Sequence, residues 1–512
     1  MPSSIAYEEA HSIDSNEEDT NRLSQTAHNN AEGNSNDSNP PPRFFHYVPR
    51  LFCVENSIEA TAISFNTFAR AIILMASAFI GPGLLGLAKA EAVRDCDINT
   101  PECIESARVY GFLPSSLLTN IATVSGLVSA LILPPTGAMI DYTSYRRSVG
   151  LYASLGMSII KVVEIWISSK TWFAMASLQL ISAILFQLST VTEYAYSAEL
   201  TSCPQQQSKY QSFFFLVMFI SFVLYTLEVL IPGKLYALDD VGTARLGAIL
   251  SSIWTVPLFA VTWLYLFPKR KALRRVPTDQ TLWTAGFKKL YHTFQMIGSS
   301  LPAVYWFLLS SMCCGSANWS INTVAITYFK EFLQLSSQNI GLVILTMLIS
   351  GIPGTFVGKY VSLKFNPIIS CKICLFLFIV IISAASLQLS SAKKDYAFLF
   401  GSMLGVCKGW LHPIQNALYV TIIPKGQEVE MMGVYVFCFH IFAFLPPLFF
   451  TFLNEEGFSM RWGMASINLF FAFGLMFLHQ IKDYEEARSQ GEAVTQREAN
   501  NTSLVTSDRN ID

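Results

Sequence analysis

A chain of 512 residues could fill two or more soluble domains. Its 52% hydrophobic and 14% charged residues, with a mean hydropathy of +0.40, exclude that arrangement and describe a polytopic membrane protein. The 34 basic and 36 acidic residues nearly cancel, so no global field attracts nucleic acid.

The first 45 residues form a polar tail. Glu8, Glu9, Asp14, Glu17, Glu18, Asp19, Glu32 and Asp37 stand there against few bases, among many Ser and Asn. Such a segment buries too little apolar surface to offset its ordering entropy, so disorder is expected. It shows no basic n-region followed by an apolar h-region, so no cleaved signal peptide is expected.

A hydrocarbon core of about 30 Å needs roughly 20 apolar residues in a helix, and lipid forbids unpaired backbone amides. Twelve candidate spans follow: 68–90, 112–136, 148–168, 171–193, 211–231, 246–267, 302–328, 338–361, 367–390, 396–421, 431–453 and 460–481. The fold class is an all-α polytopic membrane protein with twelve transmembrane helices in two six-helix bundles. Domains are expected at 46–267 and 302–482, joined by a basic linker, 268–301, with a second disordered tail at 483–512.

Lys and Arg in the connectors set the orientation. With both ends in the cytosol, the inner loops hold Arg146, Arg147, Lys209, Lys269, Arg270, Lys271, Arg274, Arg275, Lys288, Lys289, Lys359, Lys364 and Lys425. Cys96 and Cys103 share the first outer loop, either paired in an oxidising lumen or as free thiols. "CKIC" at 371–374 lacks a second ligand pair, so it reads as a helix face and no metal site is expected. "GPGLLG" at 81–86 imitates a dinucleotide fingerprint but lacks a preceding strand, which leaves helix packing. No enzyme signature and no cofactor is expected.

The two halves repeat. "GAMIDYTSYRR" at 137–147 returns as "GTFVGKYVSLK" at 354–364, and "EYAYSAELTSCPQQQSKY" at 193–210 returns as "QNALYVTIIPKGQEVEMM" at 415–432. The first of these stretches resembles the cytosolic signature of the major facilitator superfamily. That resemblance implies a conformational latch made by Gly137, Asp141, Arg146 and Arg147, which biases a carrier outward and ruptures during alternating access. The second copy has Gly358 where the first has Asp141.

The stretch 405–450 is similar to the autophagy-related protein 22-like family, vacuolar amino-acid effluxers within that superfamily. Pro413 and Gln415, then Pro424, Gly426, Glu428 and Glu430, then Gly433 and Tyr435 carry the likeness. Leu418, Tyr419, Met431 and Met432 depart from the family pattern. The resemblance implies export of small solutes, neutral amino acids, from a vacuole or lysosome-like compartment to the cytosol by alternating access, with a role in autophagic recycling. Two rivals stand beside it, a major facilitator carrier for another small solute such as a sugar, nucleoside or drug-like compound, and a non-transporting scaffold or receptor; the plasma membrane is the alternative location. Expected partners are the lipid bilayer, a small-molecule solute and protons.

Superfamily resemblance places the site near the midplane, among helices one, four, seven and ten. Asn318 and Asn322 share a face of helix seven, and His412, Gln415 and Asn416 surround Pro413 in helix ten. Amides supply donors and acceptors suited to a zwitterion, and they also glue helices together. Lys161 with Glu164, Glu193 and Glu228 are the candidates for proton coupling. Lys161 and Glu164 sit at i, i+3: paired they are structural, and split by protonation they couple transport to a gradient.

Overall fold

The computed structural model describes residues 57–94, 107–201, 204–270, 281–424 and 428–508. The expected N-terminal tail, Cys96, Cys103 and Gly426 lie outside these residues. The side chains of Asp141, Glu428 and Glu430 lie outside the description as well.

The N-terminal half contains α1 (Ile58–Ala92), α2 (Leu117–Tyr142), α3 (Arg146–Glu164), α4 (Trp172–Ala198), α5 (Pro204–Leu235) and α6 (Asp240–Val261). A connecting helix, α7 (Leu282–Ser300), leads to α8 (Pro302–Thr327), α9 (Ser337–Lys364), α10 (Pro367–Gln388) and α11 (Tyr396–Ile422). The chain ends with α12 (Glu428–Ile441), α13 (Leu445–Glu455), α14 (Met460–His479) and α15 (Tyr484–Asp508). Nine of these spans are recognisable from length and hydropathy alone among the described residues. The helices α3, α8 and α11 fall short, and α3 and α11 carry ions inside: Lys161 and Glu164, and Lys408.

The halves pack alike. In the first, α1 meets α5 and α6, while α4 meets α2 and α3. In the second, α8 meets α12 and α14, while α11 meets α9 and α10. This is the same scheme shifted by six spans.

Several expectations need correction. The first span begins at Ile58, ten residues earlier than hydropathy places it. Its polar start is internally satisfied: Ser57 caps Ala60, Ser64 bonds the Ala60 carbonyl, and Asn66 and Thr67 bond Glu193. The expected span 431–453 is broken between α12 and α13. Pro446 and Pro447 lack amide donors there, and the Ala443 carbonyl accepts a hydrogen bond from Ser320 at 3.1 Å. The expected disordered tail from 483 is helical in α15. Ala487 is buried, Gln490 accepts from the Ala303 amide, and Gly491 lies against the Ile422 carbonyl. The basic linker likewise contains α7, whose Thr281 and Thr284 form a capping box.

The bundle has a basic end, where α2 joins α3, and an opposite end. Contacts between the halves gather at the opposite end. Asp240 pairs with Lys330 and accepts the Ser337 amide at 2.9 Å. Glu455 pairs with Arg108 at 2.7 Å and accepts the Leu113 amide at 2.9 Å. Asn454 donates to Ser115 and Ser116, each at 2.8 Å. Partly exposed pairs contribute up to about 1 kcal/mol each. Asp240→Asn with Glu455→Gln is therefore expected to shift the two-state population toward opening at this end by roughly tenfold. Spin labels on α6 and α9 near that end would report a second, longer distance.

Candidate solute-binding site

Two cavities lie between the halves. The larger, of about 990 Å³, is walled by α5, α9 and α11 and continues to the basic end at Thr201, Ile423 and Met432. The smaller, of about 220 Å³, lies toward the opposite end among α1, α2, α4, α8 and α9. The molecule is thus closed at its opposite end and open toward its basic one.

One cation marks the partition. Lys408 stands 12 residues from the start of α11 and 14 from its end (408 minus 396; 422 minus 408), roughly 18–21 Å from either. Its Nζ donates to the Asn318 carbonyl at 3.2 Å and to Asn322 Oδ1 at 2.8 Å. Lys408 and Asn318 line the larger cavity and Asn322 the smaller. Among the described residues no carboxylate pairs with Lys408. Two helical turns of the same face add His412 and Asn416, whose Nδ2 lies 3.2 Å from His412 Nδ1. The Oδ1 atoms of Asn318 and Asn416 are buried without a donor. The wall therefore presents a positive charge, with these two oxygens closed off behind it.

The structure brings Asn318, His412 and Asn416 to the larger cavity and Asn322 to the smaller. Gln415 points the other way: it is buried and donates to Cys314 Sγ at 3.1 Å, inside the C-terminal bundle. Its placement on the solute wall is corrected accordingly. Pro413 lies within α11 on the larger cavity, Pro424 follows the end of α11, and Gly433 has open space around it.

The four proton-coupling candidates stand off both cavity walls. Lys161 and Glu164 pair at 2.8 Å and are fully buried. Lys161 also donates to Ser77 at 3.3 Å, and Gln179 donates to Glu164 at 2.8 Å. Ser77 and Gln179 both line the smaller cavity, so the pair backs that wall. Glu193 is held by Arg70 at 3.0 Å, by Asn66 and by Thr67. Glu228 accepts from the Trp254 indole at 2.9 Å, between α5 and α6.

At the basic end the expected latch is not assembled across the halves. Arg146 pairs with Glu199 at 2.6 Å, and Arg147 donates to the carbonyls of Trp263 at 2.8 Å and Leu264 at 2.5 Å. All of these partners belong to the N-terminal half. A Cβ on Gly137 would meet nothing within 4 Å, whereas its counterpart Gly354 lies against the Val406 carbonyl. Close helix contact thus occurs at the glycine of the second half and not at Gly137.

Two central ions escaped the sequence reading, Lys408 and Arg70. Each is a lone base inside an apolar run, which is the available signal. The Arg70 guanidinium lies 4.7 Å from the Phe186 ring centre, and Phe186 meets Trp319 across the halves at 6.0 Å.

Among curated proteins, the chain is 22% identical to Autophagy-related protein 22-1 of Aspergillus clavatus over 41% of its own length and 36% of the relative's. It is 19% identical to Autophagy-related protein 22 of Kluyveromyces lactis, over 41% of this chain and 43% of that one. The alignments thus span less than half of each relative. Among solved structures, a D-xylose-proton symporter superposes with a TM-score of 0.57 at 15% identity, covering 83% of this chain and 98% of its own. The human organic anion transporter MFSD10 (TETRAN) gives 0.54 at 14%, covering 84% and 100%. At such identities the likeness concerns the fold. The Major Facilitator Superfamily profile matches residues 61–447 and 307–507. The chain belongs to the Major Facilitator Superfamily.

Proposed function

We propose that this carrier exports neutral amino acids from a vacuole or lysosome-like compartment to the cytosol by alternating access. The observation that carries the reading is the partition at Lys408. A solute carboxylate suits its ammonium, which no carboxylate pairs among the described residues, and side-chain rotation of Asn318 and Asn416 would turn their buried, undonated Oδ1 atoms to a solute ammonium. Autophagy-related names among the relatives support the compartment. The bias of Lys and Arg toward one end supports a cytosolic basic end with both termini there. The latch of Gly137, Asp141, Arg146 and Arg147 belongs, in this reading, to the opposite conformation, with the basic end closed.

Proteoliposomes loaded with labelled leucine or tyrosine test the proposal. Lys408→Gln is expected to reduce efflux at least tenfold, since a charge-assisted contact contributes about 1.5–3 kcal/mol. Lys408→Arg is expected to retain part of it. Absence of efflux of either solute from the unmodified protein, under any pH gradient, counts against the reading.

A further inference from the structure

The wall of the larger cavity is far more apolar than a small zwitterion requires. Phe215, Leu216, Phe219 and Leu224 of α5 face Ile352 and Phe356 of α9 across it. Four of these are also largely exposed: Leu216 is 53% exposed, Leu224 46%, Ile352 54% and Phe356 69%. They lie within apolar spans, whose surroundings are hydrocarbon over about 30 Å. Exposed apolar side chains of both helices thus flank a cavity that extends to Lys408. At about 990 Å³ it stands at the upper end of ligand pockets, which run about 300–1,000 Å³.

Charge is distributed along this groove in one way only. Its α5–α9 flank carries aliphatic and aromatic side chains, while its depth carries the Lys408 ammonium and the His412 ring. Among the described residues, Lys408 is the one charged side chain on its wall. A ligand matching both ends has a long apolar chain and a single anionic head. A free amino acid satisfies the depth and leaves the mouth unfilled.

We infer that the α5–α9 groove binds a single-chain anionic amphiphile taken laterally from the bilayer, its head on Lys408 and its chain against Leu216, Phe219 and Ile352. The inference shares Lys408 with the amino-acid reading but does not rest on it. An amphiphile seated there excludes a small solute from the same ammonium, so the two compete.

Radiolabelled oleate binding to the full-length detergent-solubilised protein is the test, with oleyl alcohol as the uncharged chain and acetate as the head alone. Saturable oleate binding is expected, displaced by neither control at equal concentration. Lys408→Gln should weaken it by about tenfold or more, as should Leu216→Trp and Ile352→Trp, which narrow the mouth; Lys408→Arg should stay within about threefold. Monodisperse elution of the Lys408→Arg and tryptophan variants separates lost binding from lost folding. Unchanged oleate affinity in Lys408→Gln or in both tryptophan variants overturns the inference, as does displacement by oleyl alcohol as effective as by oleate itself. Leucine efflux from the same preparations keeps the two readings apart. Oleate binding through Lys408 without leucine transport leaves this inference standing alone, and leucine transport without oleate binding removes it.

Discussion

Gly409→Ala is expected to prevent accumulation of the folded protein. A Cβ there would fall 1.9 Å from the Gly351 carbonyl oxygen of α9, a backbone atom with no freedom to turn aside. The neighbouring steps are equally close: Gly405 lies against the Met347 carbonyl at 2.1 Å, and Gly354 against that of Val406 at 2.2 Å. These glycines let α9 and α11 touch backbone to backbone, the means by which small residues drive helix association in lipid. A single methyl must push the two helices apart and with them the wall that holds Lys408. The cost is expected at about 3 kcal/mol or more, at the upper end of overpacking penalties. Fluorescence-detected size exclusion reads the outcome as loss of the monodisperse peak. Gly433→Ala, in open space, is the matched control; a normal peak for both variants would refute the packing argument.

Lys161→Met carries the second large effect. Both members of the Lys161–Glu164 pair are at most 1% exposed, so the substitution leaves a buried carboxylate with Gln179 as its remaining described donor. Removing one partner of such a pair costs about 3–5 kcal/mol, whereas replacing both by neutral groups of similar size is often near neutral. Glu164→Gln should destabilise as well, and the double variant Lys161→Met/Glu164→Gln should recover most of the loss. Apparent melting temperatures of the four proteins measure this cycle. The same cycle distinguishes a scaffold from a proton carrier. A scaffold predicts that the double variant, once folded, keeps the pH profile of efflux. Loss of the pH dependence with the fold intact would make the pair the coupling site.

Much of the architecture is legible in the residues because lipid imposes one requirement everywhere. Long apolar runs must become helices, and the repeated stretches at 137 and 354 announce two matching halves. The late start expected for the first span has a plain cause. Hydropathy treats Asn66 and Thr67 as costs, but inside the bundle both bond Glu193 of another helix. The same blindness hid Lys408. It sits in the stretch 405–450 that carries the family likeness, where the prolines and glycines draw the eye more than a single ammonium. Gln415 shows the converse. It immediately precedes Asn416, and a step of 100° along α11 turns it from the cavity to Cys314.

By itself the sequence determined the membrane class, the duplication and the basic end, since these depend on local hydropathy and charge. Tertiary structure alone decided which polar groups face a cavity, which end is closed, and that apolar side chains of α5 and α9 flank the larger cavity. Those depend on the rotation of each helix and on contacts between residues hundreds of positions apart, which no local pattern encodes.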